Sequence, residues 1–121
     1  MDKMEQCYVY THVAYDKKKI KELLFDFIKV KPGQKVVIKP NWVREGHIDK
    51  PDEWEHIITH PVIVEAVAEI VVEKMHGNGE LKVMDSPMSN SSFGKVVKRG
   101  NIKEKLLQLN ASGVNVQVLD L

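Results

Sequence analysis

The apolar run Lys35-Val36-Val37-Ile38 stops on Lys39-Pro40-Asn41, and this junction constrains the fold more than any other feature of the chain. A run this short, opened by Pro32-Gly33 and closed by proline, reads as a buried strand. It delivers an amine, a rigid turn and a carboxamide to one spot. Two further polar tripeptides, Thr59-His60-Pro61 and Asp85-Ser86-Pro87, stand at matching places in the next strand-helix repeats. In an open parallel sheet the carboxyl ends of the strands share one edge, where ligands bind. The three tripeptides are therefore expected to converge.

The remaining elements follow from periodicity. Residues 7–15 are rich in Tyr, Val and Thr and read as a first strand. Asp16 is a good helix N-cap, and Ile20, Leu23, Leu24, Phe27 and Ile28 then mark one apolar stripe. The segment from Trp42 to Ile58 has no clean period and reads as a long ordered loop, with a short helical turn near Asp52 to His56. Pro61 suits the first turn of a second helix, whose stripe is Ile63, Val67, Ile70, Val71 and Met75. Gly77-Asn78-Gly79 stops it, and Leu81-Lys82-Val83-Met84 is the next strand. Met88 to Gly94 reads as a polar loop. A third helix is expected from about Asn101 to Leu109, then a strand from Val114 to Leu119.

This alternation predicts one α/β domain over residues 1–121. Its expected architecture is a three-layer sandwich around a mostly parallel, Rossmann-like open sheet of about four strands. Four strands leave a thin sheet, so the domain is expected to be incomplete: the N-terminal part of a larger one, or a unit completed as a homodimer.

Charge and cysteine content narrow the function. Eighteen basic and 17 acidic residues give a net charge of +1, which is no footprint for nucleic acid or for an anionic membrane. The cluster Lys17-Lys18-Lys19 reads as a solvated helix face. The single cysteine, Cys7, excludes an internal disulfide and any multi-cysteine metal or iron-sulfur site in this chain. The first six residues do not resemble a signal peptide, and no apolar run reaches the roughly 20 residues that span a bilayer. A cytoplasmic protein is the expectation.

Lys39 is the sharpest candidate for chemistry. A lysine ending a buried strand is expected to be partly desolvated, which suits anion binding, proton transfer or imine formation. Asn41 offers two donors and an acceptor. Thr59 and His60 open a helix, where unpaired amides attract anions; either residue can instead simply cap. A neutral imidazole is the form that fits that place. Asp85 can pair with Lys39, orient a hydroxyl or face a metal, and Ser86 lies beside it without the Gly-x-Ser-x-Gly elbow of hydrolases. There is no dinucleotide or phosphate loop. No metal-ligand spacing appears on a predicted helix, so no metal is assigned. The catalytic candidates are thus Lys39, His60 and Asp85, with Asn41, Thr59 and Ser86 as ligand-binding candidates.

Tyr15-Asp16, Pro32 through Asn41, Thr59 through Val64, and Met84-Asp85-Ser86-Pro87 together resemble the domain-of-unknown-function 362 family in order and spacing. The resemblance covers nearly the whole chain and corresponds to the N-terminal portion of that family. It departs at Met84, where the family usually has glycine, and it lacks the family's C-terminal half. Some members carry a ferredoxin-like iron-sulfur module, so the resemblance implies a possible C-terminal half or iron-sulfur partner domain. It implies no reaction and no named cofactor. The expectation is an α/β enzyme domain binding a small anionic or polar ligand. The alternatives are a non-catalytic binding or redox-accessory module, or an inactive fragment.

Overall fold

The computed structural model describes residues 6–44, 46–47, 49–50, 52–88 and 92–121. Asp16 opens helix α1 (Lys17–Leu24) as its position predicts, its carboxylate accepting from the Lys19 amide at 3.3 Å. The helix tightens into a 3-10 turn at Phe25–Phe27. The Lys74 ammonium donates to the carbonyls of Phe25 and Ile28 there and lies 4.1 Å over the Phe25 ring. A cation is well placed where helical carbonyls lack partners. Strand β1 (Lys35–Ile38), helix α2 (Pro61–Met75) and strand β2 (Glu80–Asp85) follow. Helices α3 (Phe93–Lys98) and α4 (Ile102–Gln108) then lead to strand β3 (Asn115–Asp120).

The three strands form one parallel sheet in the order β1-β2-β3. Ile38 lies level with Val83 and Val83 with Val118, while Asp85 lies level with Asp120. The period of two sends Val36, Ile38, Leu81, Val83, Val116 and Val118 to one face. These side chains share a core with Val64, Ala68, Val71 and Met75 of α2, Val96 and Val97 of α3, and Ile102 and Leu106 of α4. The alternate strand residues meet no such layer; Val37 is 57% exposed.

Three features differ from the sequence reading. Residues 7–15 form no strand, and Tyr8, Val9, Tyr10 and Val13 are exposed. Their β-forming composition has no paired neighbour to act on, because strand preference is realised through cross-strand contacts. The described sheet consequently has three strands. Second, α3 lies where a loop was expected to give way only later to a helix. Ser92 caps it, accepting from the Lys95 amide at 3.4 Å, and Gly100 at φ 61° kinks the chain before α4. Two short helices bent at a glycine do not give a continuous 3.6-residue period. Third, the turn expected near Asp52 to His56 falls slightly later, where the amides of Ile57 and Ile58 both donate to the Trp54 carbonyl.

Lys18 and Lys19 face solvent as expected, whereas Lys17 turns toward α2 and is only partly open. Its ammonium lies 2.9 Å from Glu65 and 2.8 Å from Glu69, and Lys21 lies 3.2 Å from Glu69 and also reaches Glu73. The two lysines, one turn apart, match acids spaced by four on α2, so α1 and α2 run in the same direction. Hydrogen bonds to Glu69 and Glu65 push the Lys17 ammonium's pKa upward. Burial alone would raise the Glu69 carboxyl, but Lys17 and Lys21 outweigh it and hold the group below its ordinary range. Glu69→Gln should destabilise the fold by about 0.5–1 kcal/mol, since each lysine keeps another acid. Urea titrations at low salt and at 1 M salt check this: the difference should shrink with screening, and a salt-independent loss would rule out the ion pairs as its cause.

Candidate functional site

Parallel strands bring Ile38 and Val83 level, so the residues after them meet at the carboxyl edge. Asp85 ends β2 and is only 6% exposed. Its Oδ1 lies 2.9 Å from the Lys39 Nζ, and its Oδ2 accepts from the Trp42 backbone N–H at 2.8 Å. The neighbouring Ser86 backbone N–H also favours the charged form of this carboxylate. Burial by itself would raise the Asp85 pKa. The Lys39 ammonium and the two amides outweigh that, and the carboxyl is held below its usual range.

Pro40 is buried and turns the chain so that the amide of Trp42 faces Asp85. The indole fills the core beneath, 1% exposed, with its ring 5.9 Å from Phe93 in an edge-on arrangement. Asn41 joins this corner to the second tripeptide through its backbone. Its N–H donates to the Thr59 hydroxyl at 2.8 Å, and its carbonyl accepts from the Thr59 N–H at 2.9 Å. The structure thereby links Lys39, Asn41, Thr59, Asp85 and the Ser86 amide, with His60 next in the chain.

Two of the expected environments are not present. Lys39 is exposed, with 65% of its side chain open, so it is not desolvated; its stem leaves the sheet edge and its head returns to Asp85. The start of α2 is not an open anion site. Pro61 has no N–H, the Val62 amide donates to His60 Nδ1 at 3.2 Å, and the amides of Ile63 and Val64 donate to the His60 carbonyl. His60 is the cap. An accepting Nδ1 places the ring proton of the neutral imidazole on Nε2.

Sequence reasoning singled out neither Trp42 nor Tyr15 for the site. The Trp42 contribution is a backbone amide, which no residue type reveals. Tyr15 stacks on His60 with ring centroids 3.6 Å apart and planes at 9°, and Trp54 flanks the same imidazole at 5.9 Å. Only the Tyr15-Asp16 pair in the family resemblance carried a hint of it. Arg99 in turn lies 5.5 Å over the Trp54 ring. Among the described residues, no group of three or more His, Cys, Asp or Glu is placed to hold a metal ion, and no helix is long and apolar enough to cross a membrane.

The model of a family described as a domain of unknown function (DUF362) matches residues 36–120, which takes in β2, β3, all of β1 but Lys35, and all three tripeptides. No curated protein and no solved structure gives a significant match. The chain belongs to the DUF362 family.

Proposed function

We propose that this DUF362 protein binds a small anionic ligand at the carboxyl edge of its sheet, with Lys39 as the contact. The observation that carries this reading is the exposed Lys39 ammonium tethered by one oxygen of buried Asp85. An ammonium has three donors, and one bond to Asp85 leaves two for an anion arriving from solvent. Asp85 fixes where that charge sits. Because its carboxyl is held ionised, it acts in this reading as a positioning residue and not as a proton donor near neutral pH. His60, whose Nδ1 is engaged in the cap, presents Nε2–H as a further donor. Thr59 and Asn41 hold the two loops together through their mutual bonds, and Ser86 lends its amide to Asp85.

Lys39→Met tests the reading. The side chain is mostly exposed, so the variant should fold, at a cost of about 1–2 kcal/mol from leaving Asp85 without its cation. Thermal unfolding would be followed with a panel of small phosphates, sulfates and carboxylates. A ligand at about 100 times its Kd should stabilise the natural chain by roughly 2.7 kcal/mol and the variant far less. Equal stabilisation of both proteins by every anion would sink the Lys39 site.

A further inference from the structure

The outer side of β1 is an open sheet edge, and among the described residues nothing pairs with it. Exposed edges present unpaired N–H and C=O groups and take up additional strands. Three observations indicate what belongs there. Helix α2 joins β1 to β2 and lies on the core face, and α4 leads into β3 on that same face. Helix α1 leads into β1 and runs in the direction of α2, as its ladder of ion pairs shows. It holds the place of a crossover helix, yet among the described residues no strand precedes it. Its apolar stripe is also only partly covered: Ile20 is buried, Leu23 and Leu24 are half-buried, and Phe27 is exposed. A crossover helix covers its stripe with the strands on both sides of it. Finally, the segment just before α1, Cys7-Tyr8-Val9-Tyr10-Thr11-His12-Val13, has strand-forming composition, carries no Lys, Arg, Asp or Glu, and is exposed throughout.

We propose that the outer edge of β1 is the docking site for the chain's own Cys7–Val13 segment, which adds there as a fourth parallel strand beneath α1. The flanking charges favour this occupant over a second β1. Two copies of β1 pairing antiparallel about Val37 would set Lys35 of each against Lys39 of the other, and like charges directly opposite are destabilising. The segment brings no cation. Added in parallel, it ends at the carboxyl edge, so Val13, Ala14 and Tyr15 form a wall beside Lys39-Pro40-Asn41. Tyr15, stacked on His60, is already at that end of α2 and serves as the pivot. The described arrangement is then the open form of the segment, and strand addition closes the site on the β1 side.

Amide hydrogen exchange on the whole chain, read residue by residue, tests this. Alternate amides within 7–13 and the outward-facing amides of β1 should exchange at least about tenfold slower than free backbone, equally in dilute and concentrated samples. Val9→Pro, placed in a segment the core does not need, should abolish the slowing on β1 while the exchange of β2 and β3 stays unchanged. Free exchange of both segments in the natural chain overturns the proposal. So does slowing that appears only on concentration, which would assign the edge to a second copy.

Discussion

Trp42→Ala should destabilise the domain by about 3–5 kcal/mol, the range for deleting a buried tryptophan from a core. Domains of this size have about 5–15 kcal/mol in total, so much of the variant population should be unfolded at moderate temperature. The indole is among the largest fully buried side chains, and it packs against Phe93 at the base of α3 as well as against the strands. Its removal therefore loosens two elements at once. The same residue offers the amide that holds Asp85, so the void lies directly below the candidate site. Trp42→Phe should retain most of the contact and lose about 1–2 kcal/mol. Urea denaturation followed by far-ultraviolet circular dichroism ranks the three proteins, free of the fluorescence of Trp54. A loss below about 1 kcal/mol for the alanine variant would show that Trp42 is not the wedge between the sheet and α3.

The effect of Trp42 marks the limit of what the sequence discloses. The strand at Lys35–Ile38, the long helix from Pro61 and the parallel order of the sheet were legible, because each combines a strong apolar run with proline or glycine punctuation. The convergence of Lys39 and Asp85 was legible for the same reason: parallel pairing brings successive strand ends to one edge. The expected desolvation of Lys39 was not met, because a four-carbon stem lets the head of a strand-end lysine reach water. The helix α3 was hidden by Gly94 and Gly100, which read as loop residues until the Ser92 cap and the kink are seen together. Composition marks residues 7–15 as strand-forming, but composition alone does not place a neighbour against them, and in the described arrangement they are unpaired and exposed. Lys17 shows the same limit for charge. A lysine beside two other lysines looks solvated until a glutamate ladder on another helix is placed against it.

Asp85→Asn should be nearly as damaging as the loss of Trp42, at about 2–4 kcal/mol near neutral pH. The carboxylate accepts on both oxygens, on Oδ1 from the Lys39 ammonium and on Oδ2 from the Trp42 amide, and the neighbouring Ser86 N–H also favours its charged form. An asparagine has one acceptor oxygen, and its NH2 group must face a donor whichever way it is turned. A buried N–H at Trp42 or the Lys39 ammonium then goes without its partner. The pH dependence separates this account from a simple loss of packing. The folded-state pKa of Asp85 lies below its ordinary 3.8, so its contribution is fully present above that value and is lost as pH falls through the lower folded-state pKa. The asparagine variant has no such proton to bind. The gap between the two proteins should therefore be widest well above 3.8 and narrow steadily as pH falls below it. A gap that stays constant across that range would mean that shape at position 85, and not its ionised carboxylate, holds the two loops together. Adding Lys39→Met completes a cycle. If the ion pair is the coupling, the lysine substitution should cost clearly less in the asparagine background than in the natural chain. Equal costs would assign Asp85 to the Trp42 and Ser86 amides alone, leaving Lys39 without the tether on which its role as an anion contact rests.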